Sequence, residues 1–429
     1  MAGPTAGHAR TRSSTAPLPL SQSARDPPRP SDLAPKVQLR GPGVPMKYRD
    51  QLPGPLGLSS LREVERAMST ETSVALSLSG GGYRAMLFHA GALYRLCDTG
   101  WLERLDRVSS VSGGSIVAGQ LATQWDALMA RPSLPDSYRA LVLDPLLALS
   151  RHTVDAPPIA KGIVAFGGIA SKVATAYRNH LYGDTTLQEI PDHPRFVFNA
   201  TNLQSGSLWR FSKPYARDYR VGGIENPNFD LGTVVAASSA FPPFLSPVIL
   251  HVPRNLWTLP GADPAFERKS RISRIILSDG GIYDNLGLET VKRFSMLFVS
   301  DGGGAFECML KPHTNWLGQL RRVLAVEDSQ VRSLRKRAVI DRYKSGALSG
   351  AYWGIRTNVQ DYGLLDTLPV LHSETLRLAA IRTRLASPGS VDTLKLVNWG
   401  YAICDAALRR YVDNSMLPPK EFPFPEALL

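Results

Sequence analysis

The sequence predicts an α/β fold in which helices cover a largely parallel β-sheet. Two successive segments, 74–100 and 108–119, each have the pattern of a strand, a tight turn and a helix. A helix that follows a strand returns the chain across the sheet, so repeated units of this kind place their strands in parallel. The chain has 429 residues, of which 43% are hydrophobic, enough to bury a large core.

The chain carries a surplus of positive charge. Lys and Arg outnumber Asp and Glu by 49 to 37, giving a formal net charge of +12 and a pI near 9.7. Such a surplus indicates an anionic partner, either a phospholipid surface or nucleic acid, or a globular protein with a basic tail. Net charge is the one feature that suggests nucleic acid, so we expect no nucleic-acid partner.

Residues 1–70 are predicted to form a disordered Pro/Arg-rich tail, with a short helix at 61–68. Residues 1–50 contain nine prolines and eight basic against three acidic residues. A segment so poor in apolar residues cannot offset its ordering entropy.

No apolar signal-peptide core and no run of about 18 uncharged apolar residues is present. Cys97, Cys308 and Cys404 are too widely spaced for a disulfide framework. These features predict a cytoplasmic protein that is peripheral at membranes if it acts on lipid.

A glycine loop connects the first predicted strand to its helix. The strand over 74–79 is followed by Gly80, Gly81 and Gly82 and then by residues at helical spacing. Such a loop presents several backbone amides at a helix N-terminus, where an anion binds. The sequence lacks the G-K-[ST] of a phosphate loop and the G-x-G-x-x-G spacing. The pattern therefore favours an oxyanion over a nucleotide phosphate.

Ser112 lies at the second strand–helix turn, in VSSVSGGSIVAG (108–119). A serine at a sharp turn of this kind has an exposed hydroxyl, provided that the residues two before and two after it are small. Ser110 and Gly114 meet this condition, although the usual pattern has glycine at both positions. The alternative nucleophile, Ser115, is followed by the bulkier Val117. A helix N-cap is the competing interpretation of Ser112.

Two predicted strands end in Asp-Gly-Gly, at Asp279 and at Asp301. Sites in α/β sheets form at the carboxyl ends of strands, but Asp before two glycines is also an ordinary turn. The local pattern does not decide between the two.

Several further segments complete the predicted fold. Residues 195–203 and 207–212 are predicted strands, and three prolines make 238–248 an irregular loop. The helical region 121–185, most apolar at 163–169, is either a lid or a layer packed on the sheet. The basic amphipathic helix at 315–345 suits an anionic membrane or a solvated face. An amphipathic helix at 390–412 is expected to pack on the core.

Four motifs occur in the order and spacing of one family. They are SGGGYRA at 79–85, VSGGS at 111–115, ASSAFPPFLSPV at 237–248 and LSDGGIYDNLG at 277–287. With them the chain resembles the patatin-like phospholipase family from about Val74 to Gly304. The resemblance implies a three-layer fold and an acyl hydrolase domain over 71–429, with a helical basic portion from about 311. It also implies phospholipase A or lysophospholipase activity through a Ser–Asp dyad.

The resemblance assigns a role to each matching residue. Ser112 matches the nucleophile and Asp279 its partner, whereas Asp301 lacks the D-G-G-x-x-D-N context. The oxyanion hole and its supporting arginine match Gly80, Gly81, Gly82, Gly113 and Arg84. No metal-ligand cluster is visible, so we expect no cofactor, calcium or zinc.

Two alternatives remain open at this stage. One is an ordinary triad in which a histidine, His89, His313 or His372, assists Ser112. The other is a catalytically silent lipid-binding or scaffold protein with the same fold. The lipid head group, the oligomeric state and any activating partner cannot be inferred from the residues.

Overall fold

The computed structural model describes residues 73–429 except 132, 156–167, 244, 264–265, 267–272 and 307. The predicted tail at 1–70, the helix at 61–68 and most of the apolar stretch at 163–169 lie outside the described residues.

The described residues form one mixed β-sheet with the strand order β10-β9-β1-β2-β3-β4-β5-β6. The five adjacent strands from β10 to β3 run parallel, and β4, β5 and β6 continue the sheet antiparallel. The parallel centre confirms the predicted α/β class. The strands are β1 Val74–Leu78, β2 Arg107–Val111, β3 Arg195–Asn202, β4 Ser207–Ser212, β5 Tyr215–Asp218, β6 Gly222–Glu225, β7 Val248–His251, β8 Arg274–Asp279, β9 Met296–Asp301 and β10 Ser349–Gly354.

Strand β3 pairs with two strands along the same edge. Its first five residues pair in parallel with β2, ending at Val111 opposite Asn199. Its last three residues pair antiparallel with β8, so that Asp279 lies opposite Ala200. The carboxyl ends of β2 and β8 therefore meet end to end beside β3. The sequence predicts the strand before Asp279 but not this reversed direction.

Helices cover both faces of the sheet. They are α1 Gly82–Asp98, α2 Gly113–Met129, α3 Leu134–Tyr138, α4 Asp144–Ser150, α5 Gly168–Tyr177, α6 Leu231–Ser238, α7 Gly281–Asp284, α8 Trp316–Lys344, α9 His372–Ala379 and α10 Ser390–Tyr411. Alternate strand residues enter two separate cores: Leu76 and Phe298 pack with α1, α2 and α10, whereas Ala75 and Leu297 pack with Val339 of α8. This alternation follows from the two-residue period of a strand and confirms the three-layer arrangement.

Helix α10 packs closely on α1, as the amphipathic pattern predicts. Ideal Cβ atoms at Gly91 and Gly400 would lie 1.9 Å from Val397 O and 1.8 Å from Phe88 O, so no side chain fits at either position. The buried carboxylate of Asp405 joins the two helices by accepting hydrogen bonds from Arg95 at 3.0 and 2.7 Å.

None of the helices among the described residues is both long and apolar enough to span a membrane.

Candidate active site

Ser112 occupies a strained turn between β2 and α2. Its φ of 51° and ψ of −118° are unusual for a residue other than glycine. Two neighbours must be glycine for this turn to form: an ideal Cβ would lie 2.2 Å from Gly82 O at Gly113 and 2.5 Å from Leu78 O at Gly114. The Ser112 side chain makes no hydrogen bond that caps α2. The geometry therefore disfavours the N-cap interpretation and leaves the hydroxyl available for chemistry.

A buried serine, Ser238 at the end of α6, holds this turn in place. The Ser112 amide donates to Ser238 Oγ at 3.0 Å, and that hydroxyl donates to Asn199 O at 2.7 Å. Ser115 Oγ lies 2.8 Å from Ser238 Oγ and 3.0 Å from Ser110 Oγ. Ser115 is fully buried in this network, so its hydroxyl stabilises the turn and is not accessible as a second nucleophile.

Asp279 lies beside the serine turn because the ends of β2 and β8 meet there. Its Oδ1 accepts the Gly281 amide at 2.7 Å, whereas its buried Oδ2 has no hydrogen-bond partner with regular geometry among the described residues. Burial raises the pKa of Asp279 to about 7, and the Gly281 amide and the Ser112 hydroxyl oppose the increase. One carboxylate oxygen thus remains to accept a proton near neutral pH.

Asp301, the other Asp-Gly-Gly aspartate, is fully bonded. Its Oδ1 accepts the Gly303 amide at 2.9 Å, and its Oδ2 accepts the Tyr352 hydroxyl at 2.8 Å. Burial alone would raise its pKa, but Arg332 and these two donors more than offset that effect and lower the pKa. With both oxygens occupied and a low pKa, Asp301 is a structural anion rather than a base.

One of the three amides of the glycine loop is already hydrogen-bonded to another segment of the chain. Gly81 and Gly82 adopt φ of 150° and 62°, which favour glycine. The Gly80 amide donates to Asn285 O at 3.0 Å and is therefore not free for an oxyanion. Across the described residues, no hydrogen bond uses the amides of Gly81, Gly82 or Gly113.

Arg84 connects the glycine loop to other segments of the chain through hydrogen bonds. Its guanidinium is buried and donates to Gly302 O at 3.2 Å, to Ile381 O, and to Thr383 Oγ1 at 3.1 Å. These acceptors lie on two distant segments of the chain, so Arg84 joins the glycine loop to both. The supporting role that the resemblance gives to Arg84 is compatible with this position.

His89 also supports the glycine loop. Its Nε2 lies 2.9 Å from Ser79 O and its Nδ1 2.7 Å from Ser300 Oγ. A carbonyl only accepts, so Nε2 carries the proton and Nδ1 accepts from Ser300. Burial lowers the pKa of His89 to about 4, which keeps the ring neutral.

No histidine contact supports the ordinary triad. His89 is committed to Ser79 and Ser300, His372 contacts Thr375, and His313 is exposed near the start of α8. Among the described residues, no hydrogen bond joins any of the three to Ser112 or Asp279. No group of three or more His, Cys, Asp or Glu in the described part of the chain could hold a metal ion.

Two residues that hold the site were missed in the sequence. Ser238 lies in the ASSAF stretch, where its hydroxyl gave no local signal of a role, and Asn285 follows Asp284 in the DGGIYDN stretch. Ideal Cβ atoms at Gly80 and Gly281 would lie 2.4 and 2.6 Å from Asn285 Oδ1, so Asn285 occupies the space that both glycines leave.

A serine on a strained strand–helix turn at the carboxyl end of a strand has the backbone geometry of a nucleophile elbow. A sequence model of the patatin-like phospholipases matches residues 76–292. The chain belongs to the patatin-like phospholipase family, as the four motifs predict.

Solved structures show a distant likeness in fold. Human GIVD cytosolic phospholipase A2, in complex with methyl gamma-linolenyl fluorophosphonate and terbium chloride, is 13% identical, with a TM-score of 0.45 over 80% of this chain and 60% of that chain. VipD from Legionella pneumophila is 16% identical, with a TM-score of 0.30 over 76% and 67%. The chain spans 50% to 60% of the length of the human phospholipase chains. No curated protein matches the sequence.

Proposed function

We propose that the chain hydrolyses acyl ester bonds of lipids through a Ser112–Asp279 dyad, as a phospholipase A or lysophospholipase. The observation that carries the proposal is the end-to-end meeting of β2 and β8. It brings the strained Ser112 next to a buried carboxylate with one unoccupied oxygen. The family membership supports the lipid class of the substrate.

In the proposed reaction, Asp279 Oδ2 accepts the proton of Ser112 as Oγ attacks the ester carbonyl carbon. The protonated aspartate then donates that proton to the departing alkoxide, which leaves an acyl-serine. Asp279 then deprotonates a water molecule that attacks the acyl group, and it returns this proton to Ser112 Oγ as the fatty acid leaves. A carboxylate is an ordinarily weak base, and the pKa of about 7 brings Asp279 closer to the proton affinity that this role requires.

The proposed oxyanion hole consists of the amides of Gly81, Gly82 and Gly113. An ideal Cβ at Gly113 would lie 3.0 Å from Gly82 N, so the amide-bearing segments of the glycine loop and the serine turn are in direct contact. Each lost donor of this kind costs about 2.7–4 kcal/mol of transition-state stabilisation. Gly80 is left out of the proposed set because Asn285 O occupies its amide.

The test is a comparison of lipid products from wild type and Ser112→Ala. Purified protein is incubated with mixed phospholipids, lysophospholipids and glycerides, and released fatty acids are measured by mass spectrometry. We expect fatty acid from wild type and at least about a 10³-fold lower rate from Ser112→Ala. The products also identify the preferred head group and acyl position.

Equal release by both proteins would contradict the dyad. No release by wild type under any lipid condition, with the fold intact by circular dichroism, would support the silent lipid-binding scaffold. The variants His313→Ala and His372→Ala distinguish the dyad from a histidine-assisted triad. We expect both variants to keep activity within about twofold, whereas a triad would lose activity when its histidine is replaced.

A further inference from the structure

Helix α8 presents an apolar stripe to solvent. Its members recur every three or four residues up to Leu324 and again at Val331 and Leu334, all on one side of the helix, and Glu327 and Asp328 occupy the positions between these two groups. They are Trp316 at 76% exposure, Leu317 at 45%, Leu320 at 48%, Val323 at 53%, Leu324 at 54%, Val331 at 41% and Leu334 at 57%. Exposed apolar groups that form one continuous patch mark an interaction surface, whereas single ones need no explanation.

The packing of the helix does not account for this stripe. The C-terminal half of α8 is anchored to the sheet through buried Val339 and through Tyr343, whose hydroxyl donates to Leu297 O at 2.6 Å. The N-terminal half contributes no buried side chain to either core. Folding of the described residues therefore leaves the apolar stripe uncovered.

The same helix passes the candidate active site. Arg335 donates to Tyr283 O at 3.3 Å, four residues after Asp279, and Arg332 donates to Gly304 O at 3.3 Å. Two further apolar side chains next to the dyad are also exposed, Ile282 at 48% and Phe241 at 55%. The loop that carries Phe241 contacts the site directly, because Ala240 O accepts the Asp279 amide at 2.9 Å.

The charge of the helix favours an anionic partner over a neutral one. Helix α8 contains eight basic and three acidic residues, of which Arg332 and Arg335 pair with acidic residues of the folded chain, and the whole chain has a net charge of +12. A helix that combines an apolar stripe with a basic surplus suits the interface of an anionic bilayer, where its apolar side chains insert and its cations meet the head groups.

We propose that the apolar stripe of α8 docks on the surface of an anionic phospholipid bilayer and brings the candidate active site to its lipid. Delivery of the candidate active site to its lipid rests on the proposed function, whereas docking itself does not require hydrolysis. Cation–phosphate attraction weakens with salt, so docking decreases as ionic strength increases.

The test measures partitioning of the full chain into vesicles by sedimentation, in a Ser112→Ala background so that the vesicles stay intact. The vesicles contain phosphatidylserine and phosphatidylcholine, or phosphatidylcholine alone. The stripe variant is Leu320→Asp/Leu324→Asp. The matched control is Leu365→Asp/Leu417→Asp, which adds the same charge at two leucines that are 105% and 83% exposed elsewhere.

We expect the stripe variant to bind phosphatidylserine vesicles at least about tenfold more weakly, because two leucines no longer insert. The control should change less than about threefold. A separate pair of the same variants with Ser112 intact should hydrolyse a soluble short-chain ester at equal rates.

An equal loss of vesicle binding in both variants, or no loss in either, would overturn the proposal. So would a stripe variant that keeps its vesicle binding but changes from oligomer to monomer in light scattering, since the stripe would then join copies of the chain. A selective loss of vesicle binding in a protein that hydrolyses no ester would leave docking standing and refute only the proposed function.

Discussion

At the scale of single residues, two buried aspartates with the same local sequence have different environments. Asp301 has both oxygens bonded and a lowered pKa, whereas Asp279 has one free oxygen and a pKa raised to about 7. Burial removes the water that would stabilise the ionised carboxylate, so ionising Asp279 in the folded protein costs free energy. A raised pKa of this kind is typical of sites where stability is traded for chemistry.

Replacement of Asp279 by Asn should therefore abolish hydrolysis and stabilise the fold above pH 7. The folded pKa lies above the ordinary 3.8, so wild type loses stability as pH rises from about 4 through 7. Asparagine keeps an oxygen for the Gly281 amide and carries no charge to desolvate. We expect a gain of roughly 2–4 kcal/mol at pH 8, from 1.36 kcal/mol per unit of pKa shift, measured by urea denaturation.

The same variant measured at pH 4 is its own control, because Asp279 is then protonated in wild type. The gain should shrink to less than about 1 kcal/mol there. A constant gain at both pH values, or a loss at pH 8, would contradict a raised pKa at Asp279.

At the scale of elements, the site depends on three segments that meet at the middle of β3. Strand β2 ends at Val111 opposite Asn199, directly before Ser112; strand β8 ends at Asp279 opposite Ala200, and α6 ends at Ser238. The Ser238 hydroxyl bonds both the Ser112 amide and Asn199 O. Ser238 is thus a positioning residue for the strained turn.

Ser238→Ala should lower kcat by about tenfold to a hundredfold with little change in KM for a soluble ester. Without the hydroxyl, the Ser112 amide and Asn199 O are buried without this partner, and the turn relaxes away from the geometry of attack. Steady-state kinetics check the split between kcat and KM. Ser238→Thr, which keeps a hydroxyl, should restore part of the rate.

Ser212→Ala is the matched control for that variant. Its buried hydroxyl donates to Phe196 O at 2.8 Å, away from the dyad, so it should cost similar stability but little kcat. Equal kcat losses in both variants would assign Ser238 a purely structural role.

The local elements of the site were predictable, and their assembly was not. The glycine loop before α1, the serine turn before α2 and the strand before Asp279 each follow from a short pattern of small and apolar residues. The reversed pairing of β8 with β3 joins residues about 75 to 79 positions apart, and the bond from Ser112 to Ser238 joins residues 126 positions apart. Such contacts depend on which strand pairs with the last residues of β3, and the choice of pairing partner produces no periodic pattern in the sequence.

Gly80 is one residue whose role depends on a distant contact that its local sequence does not predict. Its place in the glycine loop predicts an oxyanion donor, but its amide faces Asn285 O. The distant Asn285 therefore decides which amides are free.

At the scale of the whole molecule, the C-terminal segments complete a site whose motifs lie earlier in the chain. The family match ends at residue 292, yet Ser300, Gly302 and Arg384 all bond the glycine loop or its flanks. The Tyr83 amide donates to Arg384 O at 3.0 Å, and an ideal Cβ at Gly82 would lie 2.4 Å from the same oxygen. The folded unit that supports the site therefore includes the residues after the family match.

The most direct measurement of the Ser112–Asp279 dyad is the rate and position of fluorophosphonate labelling as a function of pH. We predict one adduct, mapped by peptide mass spectrometry to Ser112, with a rate that falls about tenfold per pH unit below pH 7 as Asp279 becomes protonated. Asp279→Asn should label more slowly and without that pH dependence. An adduct on another serine, or a wild-type rate that is unchanged from pH 5 to 8, would contradict the dyad.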